Sequence, residues 1–203
     1  MKNKWFIPGI IIALVAVMGL WVGGTYNSLV GDREKVTSSF SNVQTQYQRR
    51  ADLIPNLVNT VKGSSDFEQN TLTQVMEARS KATGINIDAS KATPEQMQAY
   101  IDAQNGVTSS LGRLMAVAEN YPDLKASAAY QDLMSQLEGT ENRIQVARSD
   151  FNEVARPYNT RVQKFPTNII ANMFGFSKRP YFEAAPGSDK APTVDFGTNT
   201  TNN

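Results

Sequence analysis

Histidine and cysteine are both absent from these 203 residues. Their absence removes zinc centres, Ser-His and Cys-His nucleophilic pairs and haem ligation by either side chain, because each needs an imidazole or a thiolate. A lipid-modified N-terminal cysteine is excluded for the same reason. The lack of cysteine suits an oxidising compartment without requiring one. No Gly-rich phosphate loop is present, since Gly23-Gly24 ends an apolar run and does not join a strand to a helix. Net charge is only +1, which argues against a nucleic-acid surface. Glu138 and Glu141 have the spacing of metal-binding carboxylates in helical bundles, but those sites pair Glu with His, so no metal and no other cofactor is expected. No small-molecule substrate is evident.

Long polar runs are missing at the start too. The 27 residues from Trp5 to Gly31 carry no charge and follow Lys2 and Lys4. The apolar centre, Trp5 to Val22, is long enough for ~30 Å of hydrocarbon, with Trp5 and Trp21 at the two interfaces. This predicts an uncleaved transmembrane signal anchor over residues 1–25. A cleaved signal peptide, with Val22-Gly23-Gly24 as a weak cleavage site, and a buried core helix are the other readings. The lysines before the span favour an internal N terminus, hence a single-pass membrane protein with its soluble domain exported. Arg33, Lys35, Arg49 and Arg50 on the other side weigh against that orientation.

After the span the apolar residues fall at helical spacing. Leu29, Val36, Phe40, Val43, Tyr47, Ala51, Ile54, Val58 and Val61 make one face of a long first helix, bent at Pro55 and stopped at Gly63-Ser64. A capping box at Ser65 and Glu68 opens a second helix that buries Phe67, Leu72, Val75 and Met76 and fades at Ala82 to Gly84. Thr93-Pro94-Glu95-Gln96 opens a third, which carries Met97, Ile101, Val107, Leu111, Leu114 and Ala118 as far as Tyr121-Pro122. The fourth has the most regular seam, from Tyr130, Leu133, Leu137, Thr140, Ile144, Ala147, Phe151, Val154 and Tyr158 to Val162 and Phe165, with Pro157 inside and Pro166 at the end. Such a seam packs along a neighbour at a shallow angle, as in coiled coils. Ile169, Ile170, Met173, Phe174 and Phe176 then form a short amphipathic segment, followed by Lys178 and Arg179. Two readings of it stay open: it lies on the membrane surface, or it closes the end of the bundle. Residues 26–182 thus form one helical domain, and residues 183–203 read as a disordered tail.

Several motifs carry a resemblance. Tyr26-Asn27-Ser28-Leu29-Val30, Arg50-Ala51-Asp52-Leu53-Ile54-Pro55-Asn56-Leu57-Val58, Glu77-Ala78-Arg79, Glu119-Asn120-Tyr121-Pro122-Asp123-Leu124, Leu137-Glu138-Gly139-Thr140-Glu141-Asn142-Arg143-Ile144, Tyr158-Asn159 and Phe165-Pro166 together resemble the bacterial LemA family over roughly residues 1 to 182. The resemblance implies an all-α protein: an N-terminal transmembrane helix, then an antiparallel up-and-down four-helix bundle with long first and fourth helices. It supplies no catalytic residue. A magnetosome-associated branch of the family implies membrane-organising work in some members.

The candidate residues are therefore structural or interaction residues: Tyr26, Asn27, Arg49, Arg50, Asp52, Pro55, Glu138, Glu141, Arg143, Tyr158 and Asn159. Aligning Tyr26-Asn27 with Tyr158-Asn159 on antiparallel first and fourth helices sets Arg50 against Glu138 and Arg49 against Glu141 as register-fixing ion pairs. The favoured function is a membrane-anchored, non-enzymatic scaffold or adaptor whose partners are lipid and either another protein or itself, as a homo-oligomer. The alternative is an accessory subunit or regulator of a membrane enzyme such as a protease or envelope transporter. Carboxylates, lysines and tyrosines could do acid-base work only in a polar pocket.

Overall fold

The computed structural model describes residues 6–63, 67–88 and 91–183, and all regular structure among them is helical. The first helix, α1 (Phe6–Lys62), is unbroken for 57 residues, roughly 85 Å at 1.5 Å per residue. Its N-terminal part is long and apolar enough to cross a membrane, and none of that stretch is buried against the protein. Ile10, Ile12, Leu14, Val17 and Leu20 all face outward, which is the opposite of a buried core helix. From Leu29 onward the same helix buries a stripe, and so becomes the spine of the domain.

Four further helices complete the domain around α1, with a fifth, very short one between them: α2 (Gln69–Gly84), α3 (Pro94–Ala118), α4 (Pro122–Ala126), α5 (Ala128–Gln163) and α6 (Thr167–Met173). The α3 start is the capping box read from sequence, with the Thr93 hydroxyl accepting from the Gln96 N–H and Gln96 Oε1 accepting from the Thr93 N–H. The α2 start differs. Residues 64–66 lie outside those described, and Glu68 is the residue before the helix, its Oε2 accepting from the Thr71 hydroxyl at 3.0 Å. Met76 is exposed rather than buried, because the inward face of α2 runs through Thr71, Leu72, Val75 and Ala82. Short α4 arises because Pro122, after the α3 end, is well placed to begin a new turn. Of the tail read as disordered, residues 184–203 lie outside those described, and Glu183, its first residue, is held by Arg148, which donates to its carbonyl at 2.9 Å.

Helix α1 packs along α5, and contacts from Asp32 to Arg161 at one end and from Arg50 to Glu141 further along make the two antiparallel. Helices α2 and α3 pack on each other, and α2 also on α1. The apolar core falls into two clusters. One, nearer the anchor, gathers Leu29, Phe40, Tyr47, Tyr100, Phe151, Tyr158 and Ile170; the other, at the far end, gathers Ile54, Leu57, Val75, Leu111, Leu114 and Leu137.

Both interior prolines sit inside continuous helices, as their preserved apolar phase predicts. Pro55 has no N–H, so the Ala51 carbonyl four residues earlier loses its helical donor. Arg79 of α2 supplies one instead, donating from Nε at 2.7 Å. This makes the cost of losing Arg79 depend on Pro55. Arg79→Ala should destabilise the chain by ~1–3 kcal/mol, the cost of leaving a buried acceptor unpaired. In a Pro55→Ala background, where a helical N–H is restored, that cost should shrink; thermal melts of the four variants measure the difference.

Candidate functional site

Between the two apolar clusters lies a polar layer centred on Arg50, which is 1% exposed. Its sequence position explains its burial. Along α1 the innermost residues are Val36, Phe40, Val43, Tyr47, Arg50, Ile54, Leu57 and Val61, alternating steps of four and three, and Arg50 occupies one of these seam positions. Helix α3 does the same with Gln104, between Tyr100 and Val107, and α5 with Thr140, between Leu137 and Ile144. Each of the three helices therefore places a polar residue where the pattern calls for an apolar one.

The Arg50 guanidinium is held from several sides. One terminal nitrogen donates to the Thr108 hydroxyl at 2.7 Å and to Glu141 Oε1 at 2.8 Å; the other donates to the Gln104 carbonyl at 3.0 Å and to Gln104 Oε1 at 2.8 Å. Its carbon lies 5.1 Å from the centre of the Tyr47 ring, a cation–π distance. Burial pushes the Tyr100 hydroxyl up to about 12, with Tyr47 adding to the shift and Arg50 and Gln104 opposing it. Burial likewise raises Tyr47, against the pull of Arg148 and Arg50. Both shifts favour the neutral phenol over the phenolate. A cleft of about 520 Å³ opens beside the layer, lined by Arg50, Arg79, Tyr47, Tyr100, Gln104 and Thr83 among others, none of them acidic.

The LemA family profile matches residues 39–196, and with them all of this layer. The chain belongs to the LemA family. Over 185 residues it is 30% identical to the magnetosome proteins MamQ 1 and MamQ 2 of Paramagnetospirillum magneticum, covering 81% of this chain and 66% of each relative. Protein LemA of Metamycoplasma hominis is 26% identical over 183 residues, 90% of this chain and 80% of that protein. The chain thus spans just under two thirds of the length of the magnetosome relatives. Three of the stretches that carry the resemblance meet at the layer: Arg50 and Ala51 from one, Arg79 from a second and Glu141 from a third.

The register read from sequence is corrected by this geometry. Arg50 pairs with Glu141, not Glu138, and Arg49 does not take Glu141. The seam of α5 buries Leu137 and Thr140, which turns Glu138 outward and leaves Glu141 at the edge facing α1. Arg49, Glu138 and Arg143 are exposed, and Asp52 accepts from Gln48 one turn earlier in α1, at 2.8 Å.

Tyr26-Asn27 and Tyr158-Asn159 do not face each other either. Tyr26 sits against Phe174 and Phe176, with ring centres 4.9 and 5.7 Å away, and Asn27 is exposed. Tyr158 and Asn159 are buried and hold the C-terminal segment. The Tyr158 hydroxyl donates to the Ser177 carbonyl, while the Asn159 amide donates to the Arg179 carbonyl and accepts from its N–H, both at 2.8 Å. Asn152, seven residues earlier on α5, grips Phe182 in the same two-bond way. Residues 177–183 therefore run as an extended strap beside α5, and the buried Arg179 guanidinium donates to the Ala92 carbonyl and to Met97 Sδ. Burial lowers the Arg179 pKa; Tyr158 opposes this and Arg33 reinforces it.

Sequence reasoning missed Gln104, Thr108, Asn152 and Phe182, and it set Arg179 with Lys178 as a basic pair for a membrane surface, whereas the structure buries Arg179. The first was detectable as a polar residue on a seam position, and Asn152 as an amide seven residues from Asn159 on one helix face. The strap offered no such signal.

Proposed function

We propose that this LemA-family chain is a non-enzymatic scaffold or adaptor, anchored by a single pass in the bacterial inner membrane with its domain exported, and acting through protein–protein contacts that include self-assembly. In this reading α1, α2, α3 and α5 form an antiparallel up-and-down four-helix bundle. The observation that carries it is the continuity of α1, which joins an exposed apolar stretch to a buried seam without a break and so makes anchor and domain one stiff rod. A rod of that kind holds a binding surface at a fixed height above a bilayer. The polar cluster around Arg50 is spent on internal contacts, which suits a rigid support. The magnetosome relatives support work at a membrane.

Chemical cross-linking in native membranes followed by mass spectrometry tests the reading. Cross-links between copies of this chain, or to a second non-enzymatic envelope protein, are the expected result. A stoichiometric protease or transporter in place of these would overturn it in favour of an accessory subunit. Charge-inverting the flanks of the anchor and mapping protease access on either side of the membrane tests the orientation separately.

A further inference from the structure

The amphipathic segment after α5 divides its side chains between two sides. Ile170 is 2% exposed and Phe176 3%, so these two pack into the domain and not onto a membrane surface. Gly175, with φ of +73°, makes that possible by ending α6 and turning Phe176 inward, its N–H donating to the Ala171 carbonyl at 2.8 Å. Phe165, Ile169, Met173 and Phe174 remain outside, at 74, 58, 63 and 47% exposed. Ile169 and Met173, four residues apart, share one face of α6, and Phe165 lies just before that helix. An outward face of a surface helix is normally polar, and a contiguous apolar one has a partner other than water. Away from this patch and the span, the exposed large apolar residues are Met76, Met115 and Val146, each on a different helix.

The position of this patch along α1 identifies the partner. Phe174 rests on Tyr26, and the start of α6 at Thr167 shares a small cleft with Trp21, Gly24, Thr25 and Ser28 of α1 and with Arg161 of α5. Trp21 marks the end of the membrane-spanning stretch, because an indole favours the water–hydrocarbon boundary. From Trp21 to Tyr26 is five residues, or roughly 7.5 Å along the axis. The headgroup layer of one leaflet is about 5–7 Å deep. Since α1 is one unbroken helix, the patch is fixed across that layer, from the Thr167 end of α6 beside Trp21 to Phe174 at the layer's outer edge.

We propose that Phe165, Ile169, Met173 and Phe174 insert into the interfacial layer of the leaflet from which α1 emerges, giving the domain a second attachment to the bilayer. A single helix leaves a domain free to rotate about its anchor. Two attachments remove that freedom and present one chosen side of the domain along the membrane plane. Lys164 and Lys178, both exposed, flank the patch and suit anionic headgroups. The proposal rests on the reading of α1 as a membrane span, and the test separates the two.

Because the natural chain has no cysteine, a single introduced thiol carries a nitroxide label at one known place. Labels at Ile169→Cys, Met173→Cys and Phe174→Cys, at Val15→Cys within the span and at Ser135→Cys on the distal part of α5 are compared in the full chain, reconstituted in phosphatidylcholine vesicles containing phosphatidylglycerol. Collisional relaxation by oxygen reports lipid, and relaxation by a water-soluble nickel chelate reports solvent. Oxygen should dominate at 15, at 169 and at 173, to a lesser degree at 174, and nickel at 135. Nickel dominating at 169 and 173 while oxygen dominates at 15 would overturn the second attachment and leave the anchor standing. Nickel dominating at 15 as well would overturn the anchor itself. Labels at 169 and 173 shielded from both reagents and broadened by a neighbouring spin would show a second copy covering the patch, and that too overturns the proposal.

Discussion

Glu141→Ala should lower the stability of this protein by about 3 kcal/mol, while Glu138→Ala, one turn away, should leave it unchanged. The asymmetry follows from what each removal leaves behind. Without Glu141 the Arg50 guanidinium, 1% exposed, keeps only the neutral acceptors of Gln104 and Thr108. A buried charge that loses its counter-ion costs about 3–5 kcal/mol, and the lower end applies because the Glu141 side chain is 31% exposed and water reaches the pair. The same argument gives the rescue. Arg50→Met fills similar volume without a charge, so combining it with Glu141→Ala should recover most of the loss. Urea or thermal melts of the chain in mild detergent provide the cycle. Full additivity of Arg50→Met and Glu141→Ala would mean that the pair does not hold the layer together, and coupling between Arg50 and Glu138 would restore the register read from sequence.

That register illustrates how far the chain could be read. Seam positions recur every three or four residues, so sliding α5 against α1 by one turn keeps every apolar residue opposite an apolar residue. The apolar pattern therefore predicts the helices, the α3 capping box and the interior prolines well, yet it is nearly blind to register. Only the polar residues on the two seams, Arg50 on α1 and Thr140 on α5, break the degeneracy, and a charge flanked by exposed charges such as Arg49 and Asp52 does not announce that it is buried. The Arg79 contact with Ala51 was hidden for a related reason: Pro55 signals a freed carbonyl, but the donor comes from another helix. The strap was illegible because an extended segment has no periodicity and makes its bonds to side chains 20 and 30 residues back along the chain.

Phe182→Ala should cost about 3–5 kcal/mol, the range for deleting a buried phenyl ring, although it lies beyond the last helix. Its ring is 6% exposed, stacks on Phe40 at 6.4 Å and meets Phe151 edge-on at 5.3 Å, so it joins α1 to α5 as a core residue does. What holds it there is Asn152, whose amide takes both backbone bonds of Phe182, accepting from the N–H at 2.9 Å and donating to the carbonyl at 2.8 Å. An aspartate has the same shape but cannot donate, and would set a carboxylate oxygen against that carbonyl. Asn152→Asp should therefore destabilise at least as much as Asn152→Ala, each by ~1–3 kcal/mol. Amide exchange locates the effect. In the natural chain the Phe182 and Arg179 N–H groups should both be protected, because each is bonded to an asparagine oxygen. With Asn152→Asp the Phe182 carbonyl loses its donor, the end of the strap loosens and protection at Phe182 should fall. Protection at Arg179 should persist, since Asn159 still grips it from both sides. Exchange at both amides of the natural chain as fast as in an unstructured peptide would show that the strap does not close the core, and that Phe40 and Phe151 are covered in some other way.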